Sequence, residues 1–141
     1  MIALGPALTL ALAPAMSAAA EPSDGLSGQW QLARMAGVAD EAFAAAQFTA
    51  QPDGEAITVA VRMWCNRFQT TAHLTGEKAP GIFGLRVERD FPTTLRRCDG
   101  DKELLDFKYM EIFRKIDTYA LRDGRLRLMS MGKVVLEYVR S

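Results

Sequence analysis

From residue 57 the chain alternates. Ile57, Val59, Val61 and Met63 fall on one side of an extended backbone, and Thr58, Ala60 and Arg62 on the other. A period of two predicts a half-buried strand. Continuing that register puts Cys65 on the inner face beside Met63. After a bend at Asn66–Arg67, Phe68, Ala72 and Leu74 alternate with Gln69, Thr71 and His73. This predicts a second strand with His73 facing outward. TGEKAPG, residues 75–81, predicts a loop. Phe83, Leu85 and Val87 against Gly84, Arg86 and Glu88 predict a further strand.

Upstream, GQWQLARM (28–35) and QFTAQ (47–51) are expected as strands, with a linker over 36–46 holding one helical turn. PDG (52–54) is a turn signal, because Pro presets φ and Gly accepts a positive φ. Residues 90–100 predict an irregular connection. The period then changes. DKELLDFKYMEIFRKI (101–116) contains no Gly or Pro. Leu105, Tyr109, Ile112 and Ile116 recur at helical spacing, with Leu104 and Phe113 beside them. Asp101 and Glu103 in the first turn and Arg114 and Lys115 in the last suit the helix dipole. Asp99 or Asp101 is the expected N-cap. Three short strands close the chain, DTYALR, RLRLMS and KVVLEYV, joined by DG (123–124) and MGK (131–133) as tight hairpins.

The fold class that follows is mainly β with one α-helix. Eight short, closely spaced strands predict a small antiparallel barrel, with the helix packed against one opening. The expected inward residues are Ile57, Val59, Val61, Met63, Leu74, Phe83, Leu85, Val87, Leu126, Leu128 and Leu136. They are large enough to fill such an interior, and no polar cluster accompanies them. Trp30 and Trp64 are expected in the core.

The first 20 residues carry no charge. The apolar stretch from Ala7 to Met16 is too short to span a bilayer, which takes about 20 residues. It runs into SAAAEPSDG, small residues followed by a polar start. That layout predicts a secretory signal peptide over 1–20, a flexible N-terminal segment over 21–27 and a barrel domain over 28–141. The basic residues that usually open a signal peptide are absent, and a disordered leader of a cytosolic protein is the other reading. The 141 residues carry 17 basic and 17 acidic side chains, so the net charge is zero. Nothing in that balance marks a nucleic-acid binder.

Little in the sequence carries catalysis. The chain has one histidine and two cysteines. Any nucleophile-histidine pair would have to use His73, which is expected on an outer strand face. Zinc needs three or four suitably spaced ligands, and two distant cysteines and one histidine do not supply them. DGDKE (99–103) alternates carboxylates but lacks the rest of a calcium loop. No phosphate-binding glycine motif occurs. The expectation is no catalytic residue, no cofactor and no metal ligand.

With those elements in place, the chain resembles the META domain, the HslJ-like family of small bacterial envelope proteins. The resemblance spans roughly residues 26–139. It rests on LSGQWQL at the start, CNRF (65–68), TLRRC (94–98), and the closing YALRDGRLRLM and GKVVLEY. Asp106 stands where the family often has Glu. Trp64 replaces the glycine that usually precedes the Cys-Asn pair, and Thr70 stands where a second glycine is usual. The resemblance implies an eight-stranded lipocalin-like barrel with a helix. It also implies a role in envelope maintenance and stress tolerance. It carries over no catalytic residue.

The functional expectation is a non-enzymatic structural or interaction module, periplasmic or secreted, with outer-membrane association as a further possibility. It is expected as a monomer whose partner is an envelope protein or an outer-membrane component, not nucleic acid. The mature chain is expected to hold no transmembrane segment. The alternatives are a carrier of a small apolar ligand inside the barrel and a secreted protease inhibitor. Export and two cysteines together predict a disulfide between Cys65 and Cys98. It would be worth about 3–4 kcal/mol in the chain-entropy model. Free buried thiols are the alternative.

Overall fold

Eight strands follow one another around a closed antiparallel barrel, each paired with its neighbour in sequence. The computed structural model describes residues 25–39 and 43–141. The expected signal peptide and residues 21–24 lie outside them. In chain order the elements are β1 (Gly28–Met35), a short 3-10 turn (Phe43–Ala45), β2 (Gln47–Asp53), β3 (Ala56–Arg62), β4 (Arg67–Ala79) and β5 (Ile82–Val87). Helix α1 (Gly100–Arg114), β6 (Thr118–Arg122), β7 (Arg125–Ser130) and β8 (Lys133–Arg140) follow. Pairing of β1 with β8, Leu32 opposite Tyr138, closes the sheet and leaves no free edge.

The alternation read from the sequence is the reason for this closure. One face of every strand is apolar, and curling the sheet buries all those faces against each other. Ile57, Val59, Val61, Met63, Leu85, Val87, Leu126, Leu128 and Leu136 are buried, whereas Leu74 and Phe83 are half-buried. Trp30 is fully buried and its indole Nε1 donates to the Leu26 carbonyl at 3.0 Å. The β6–β7 and β7–β8 hairpins turn at Asp123–Gly124 and Met131–Gly132. All four residues have positive φ, between 53° and 81°. Such turns match the right-handed strand twist, and a glycine in each relieves the strain.

Four expectations need correction. The segment 75–81 is not a loop from its start: β4 continues to Ala79, and its pairing with β5 shifts register at Leu74/Gly76 and again at Glu77/Ala79. Gly76 sits at φ 102° there, so turn-forming residues are used inside a bulged strand. The inward register of β3 does not reach Cys65. The strand ends at Arg62, and a tight turn closes with Met63 N–H donating to Asn66 O at 2.8 Å.

The buried side of α1 is Asp106, Tyr109 and Phe113, with Leu105 and Ile112 half-buried on its flanks. Ile116 is buried just beyond the helix end. The helix is rotated from the apolar stripe because its central contact is a carboxylate, which hydrophobic periodicity does not count. Finally, the end of the 21–27 segment is anchored rather than flexible: Leu26 is buried, and Arg140 donates to the Gly25 carbonyl at 2.7 Å.

Helix α1 stops the end of the barrel where β3 turns into β4. Its Tyr109 ring lies 6.2 Å from Trp64 and 6.3 Å from Phe68, and its Phe113 ring 5.3 Å from Phe68 and 6.5 Å from Phe48. These tilted and edge contacts suit aromatic quadrupoles.

Candidate functional site

The densest polar constellation is at that helix-covered end. Asp106 is buried, and its carboxylate accepts three consecutive backbone N–H groups. Oδ1 takes those of Trp64 at 2.9 Å and Cys65 at 3.1 Å, and Oδ2 takes that of Asn66 at 2.7 Å. The turn after β3 points its amides inward, where no sheet partner is available. The helix supplies the missing acceptor. Bonds to a charged acceptor are stronger than neutral ones, and three of them offset the cost of burying the charge.

The same turn is tied outward. Asn66 Oδ1 accepts from Thr94 Oγ1 and from Arg96 N–H, both at 2.7 Å, and Nδ2 donates to Arg96 O at 3.2 Å. One side-chain amide thus pairs with the 94–96 segment as a strand would. Cys65 and Cys98 form a disulfide with Cα atoms 6.0 Å apart, within the ordinary range. Cys98 N–H is accepted by Glu103 Oε1 at 3.0 Å. Asp99 occupies the N-cap position of α1, but its side chain makes no cap bond. Glu103 instead ties the helix's first turn back to the residue before the N-cap.

A second polar pair lies deeper. The Tyr109 and Tyr138 hydroxyls are hydrogen-bonded to each other, both fully buried. Burial pushes both phenols well above their usual range; the Tyr138 hydrogen bond draws Tyr109 partly back, and the neighbouring Tyr109 raises Tyr138 further. Burial also pushes Tyr119 up to about 12. Its hydroxyl is the one buried side-chain polar atom without a hydrogen-bond partner among the described residues.

His73 faces outward, and its Nε2 lies 2.9 Å from Glu88 Oε1. Both cysteines are in the disulfide and unavailable as nucleophiles. Among the described residues no group of three or more His, Cys, Asp or Glu side chains is placed to hold a metal ion. On β7, Arg125 and Arg127 pair with the buried Glu137 of β8 at 2.8 and 3.8 Å.

Space is distributed unequally. The barrel interior keeps a cavity of about 20 Å³, lined by residues that include Ile57, Val59, Phe113 and Tyr119. The outside has open grooves. One of about 640 Å³ runs between the outer faces of β2–β4 and residues 92–94. Another, of about 700 Å³, lies between residues 93–97 and α1. Leu95 and Phe107 border the second and are 92% and 59% exposed. No helix among the described residues is long and apolar enough to cross a membrane.

The sequence marked Asp106 only through the family resemblance, as an acidic position of the helix, and gave no sign of the amides it holds. The tyrosine pair gave no signal, because its partners are 29 residues apart. Neither curated proteins nor solved structures yield a match to the chain. A family description does, over residues 24–141, which takes in all eight strands and the helix. The chain belongs to the META domain family.

Proposed function

We propose that this domain is a non-enzymatic envelope module, exported, that acts through its outer surface and contributes to envelope maintenance or stress tolerance. The observation that carries the reading is the filled barrel. An interior of about 20 Å³ holds at most one water. A ligand pocket usually measures about 300–1,000 Å³. The groove volume lies outside, next to exposed Leu95 and Phe107. The disulfide suits an oxidising compartment.

The carrier is the second reading, and one observation favours it: Tyr119, whose buried hydroxyl has no hydrogen-bond partner among the described residues, is one of the residues that line the interior cavity. Titration of the protein with fatty acids and an apolar fluorophore separates the two. The module predicts no saturable binding. One-to-one micromolar binding, abolished by Val59→Phe in a variant that still folds, would reject the module in favour of the carrier.

A further inference from the structure

The end of the β3–β4 hairpin carries a local cost that the fold does not relieve. Arg62 and Arg67 are directly opposite each other across the two strands, and both are exposed. Like charges in that position destabilise a sheet. Their diagonal neighbours on the same face, Ala60 and Gln69, are neutral. Arg96 joins them from the 94–96 segment. All three line a pocket of about 210 Å³ together with Cys65, Asn66 and Thr94, and no carboxylate lines it.

The carboxylates nearby are occupied. Asp106 is spent on three backbone amides and Glu103 on the Cys98 amide. None of the three arginines takes part in an ion pair among the described residues. Their backbones, however, are held. Asn66 clamps both N–H and C=O of Arg96, Thr94 Oγ1 accepts the Arg67 N–H at 3.1 Å, and the disulfide anchors the same turn. Three unpaired cations are therefore presented on a braced turn around one pocket.

We infer that this pocket is a binding site for a phosphoryl group, with Arg62, Arg67 and Arg96 as its ligands. A phosphoryl group has several charged oxygens in different directions. Planar guanidinium forks engage such oxygens two at a time. Asn66 and Thr94 position the arginines and do not bind, because their polar atoms are already paired with each other and with backbone. The inference stands on the folded domain and does not rest on export. The phosphoryl group can belong to a free anion or to a lipid headgroup. For the second source, the highly exposed Leu95 next to Arg96 supplies an apolar contact with the bilayer.

The test is calorimetric titration of the oxidised chain with pyrophosphate at fixed ionic strength, in parallel with flotation on phosphatidylcholine vesicles with and without phosphatidate. Saturable one-to-one binding of pyrophosphate, or flotation that requires phosphatidate, is expected. Arg62→Gln/Arg67→Gln should weaken it about tenfold or more, the size of losing one charge-assisted bond. Arg86→Gln/Arg122→Gln removes the same charge from exposed sites outside the pocket and should change it little. Arg96→Gln gives a second, independent loss. Vesicle binding that Leu95→Ser weakens, without pyrophosphate binding, assigns the site to a headgroup; pyrophosphate binding unaffected by Leu95→Ser assigns it to a free anion. Absence of binding in both arms overturns the inference. So does an equal loss in the two double variants, which would reduce the site to net charge.

Discussion

Asp106→Asn should be among the most damaging conservative changes in this protein. The carboxylate holds three amides with two oxygens, Trp64 and Cys65 on Oδ1 and Asn66 on Oδ2. An amide side chain has one acceptor oxygen. If it faces Trp64 and Cys65, its NH2 group meets the Asn66 N–H, donor against donor. One bond to a charged acceptor, worth about 1.5–3 kcal/mol, is then lost. The other two weaken from charged to neutral strength, about 1 kcal/mol each by the same comparison. The sum is about 3.5–5 kcal/mol, a large part of the 5–15 kcal/mol typical of a domain. The assay is urea unfolding with the disulfide intact, read as a fall in midpoint at constant m. Glu111→Gln, exposed on the same helix, should stay within about 0.5 kcal/mol. A loss at Asp106 below about 1 kcal/mol, or no larger than at Glu111, would refute the clamp.

Two other outcomes follow from the same end of the barrel. Replacing both cysteines by serine should cost about 3–4 kcal/mol, from the loop closed between residues 65 and 98; two titratable thiols in the denatured chain recovered from an oxidising compartment would contradict the crosslink. Alkaline stability should be set by the tyrosines. Burial raises Tyr109 and Tyr138 well above their usual value and Tyr119 to about 12, while the unfolded chain releases these protons near 10. Their contribution is complete below about pH 10 and is lost as pH rises through the folded values, at about 1.4 kcal/mol per pH unit for each tyrosine that keeps its proton. Unfolding midpoints and phenolate absorbance followed together check this. A flat stability across that range, with phenolate forming before unfolding, would show that the rings are accessible.

The barrel was legible in the sequence because strand alternation is local: each apolar face is written in its own seven or so residues, and closure follows from burying all faces at once. Ile57, Val59, Val61 and the two closing hairpins needed no distant information. Leu105 and Ile112 show where locality ends. Apolar spacing put them on the buried side of the helix with Tyr109, yet the structure leaves both half-buried and turns Asp106 inward beside Tyr109 and Phe113. The reason is an unmet requirement elsewhere, three amides of the 64–66 turn 40 to 42 residues away. Periodicity scores a carboxylate as solvent-facing, and nothing near residue 106 announces those donors. The pairing of Asn66 with Arg96 and of Tyr109 with Tyr138, and the convergence of Arg62, Arg67 and Arg96, have the same origin. In the strands the hydrophobic pattern determined which residues leave water; only the tertiary structure decided which polar groups meet, because a hydrogen bond depends on both partners and their separation in the chain carries no trace of it.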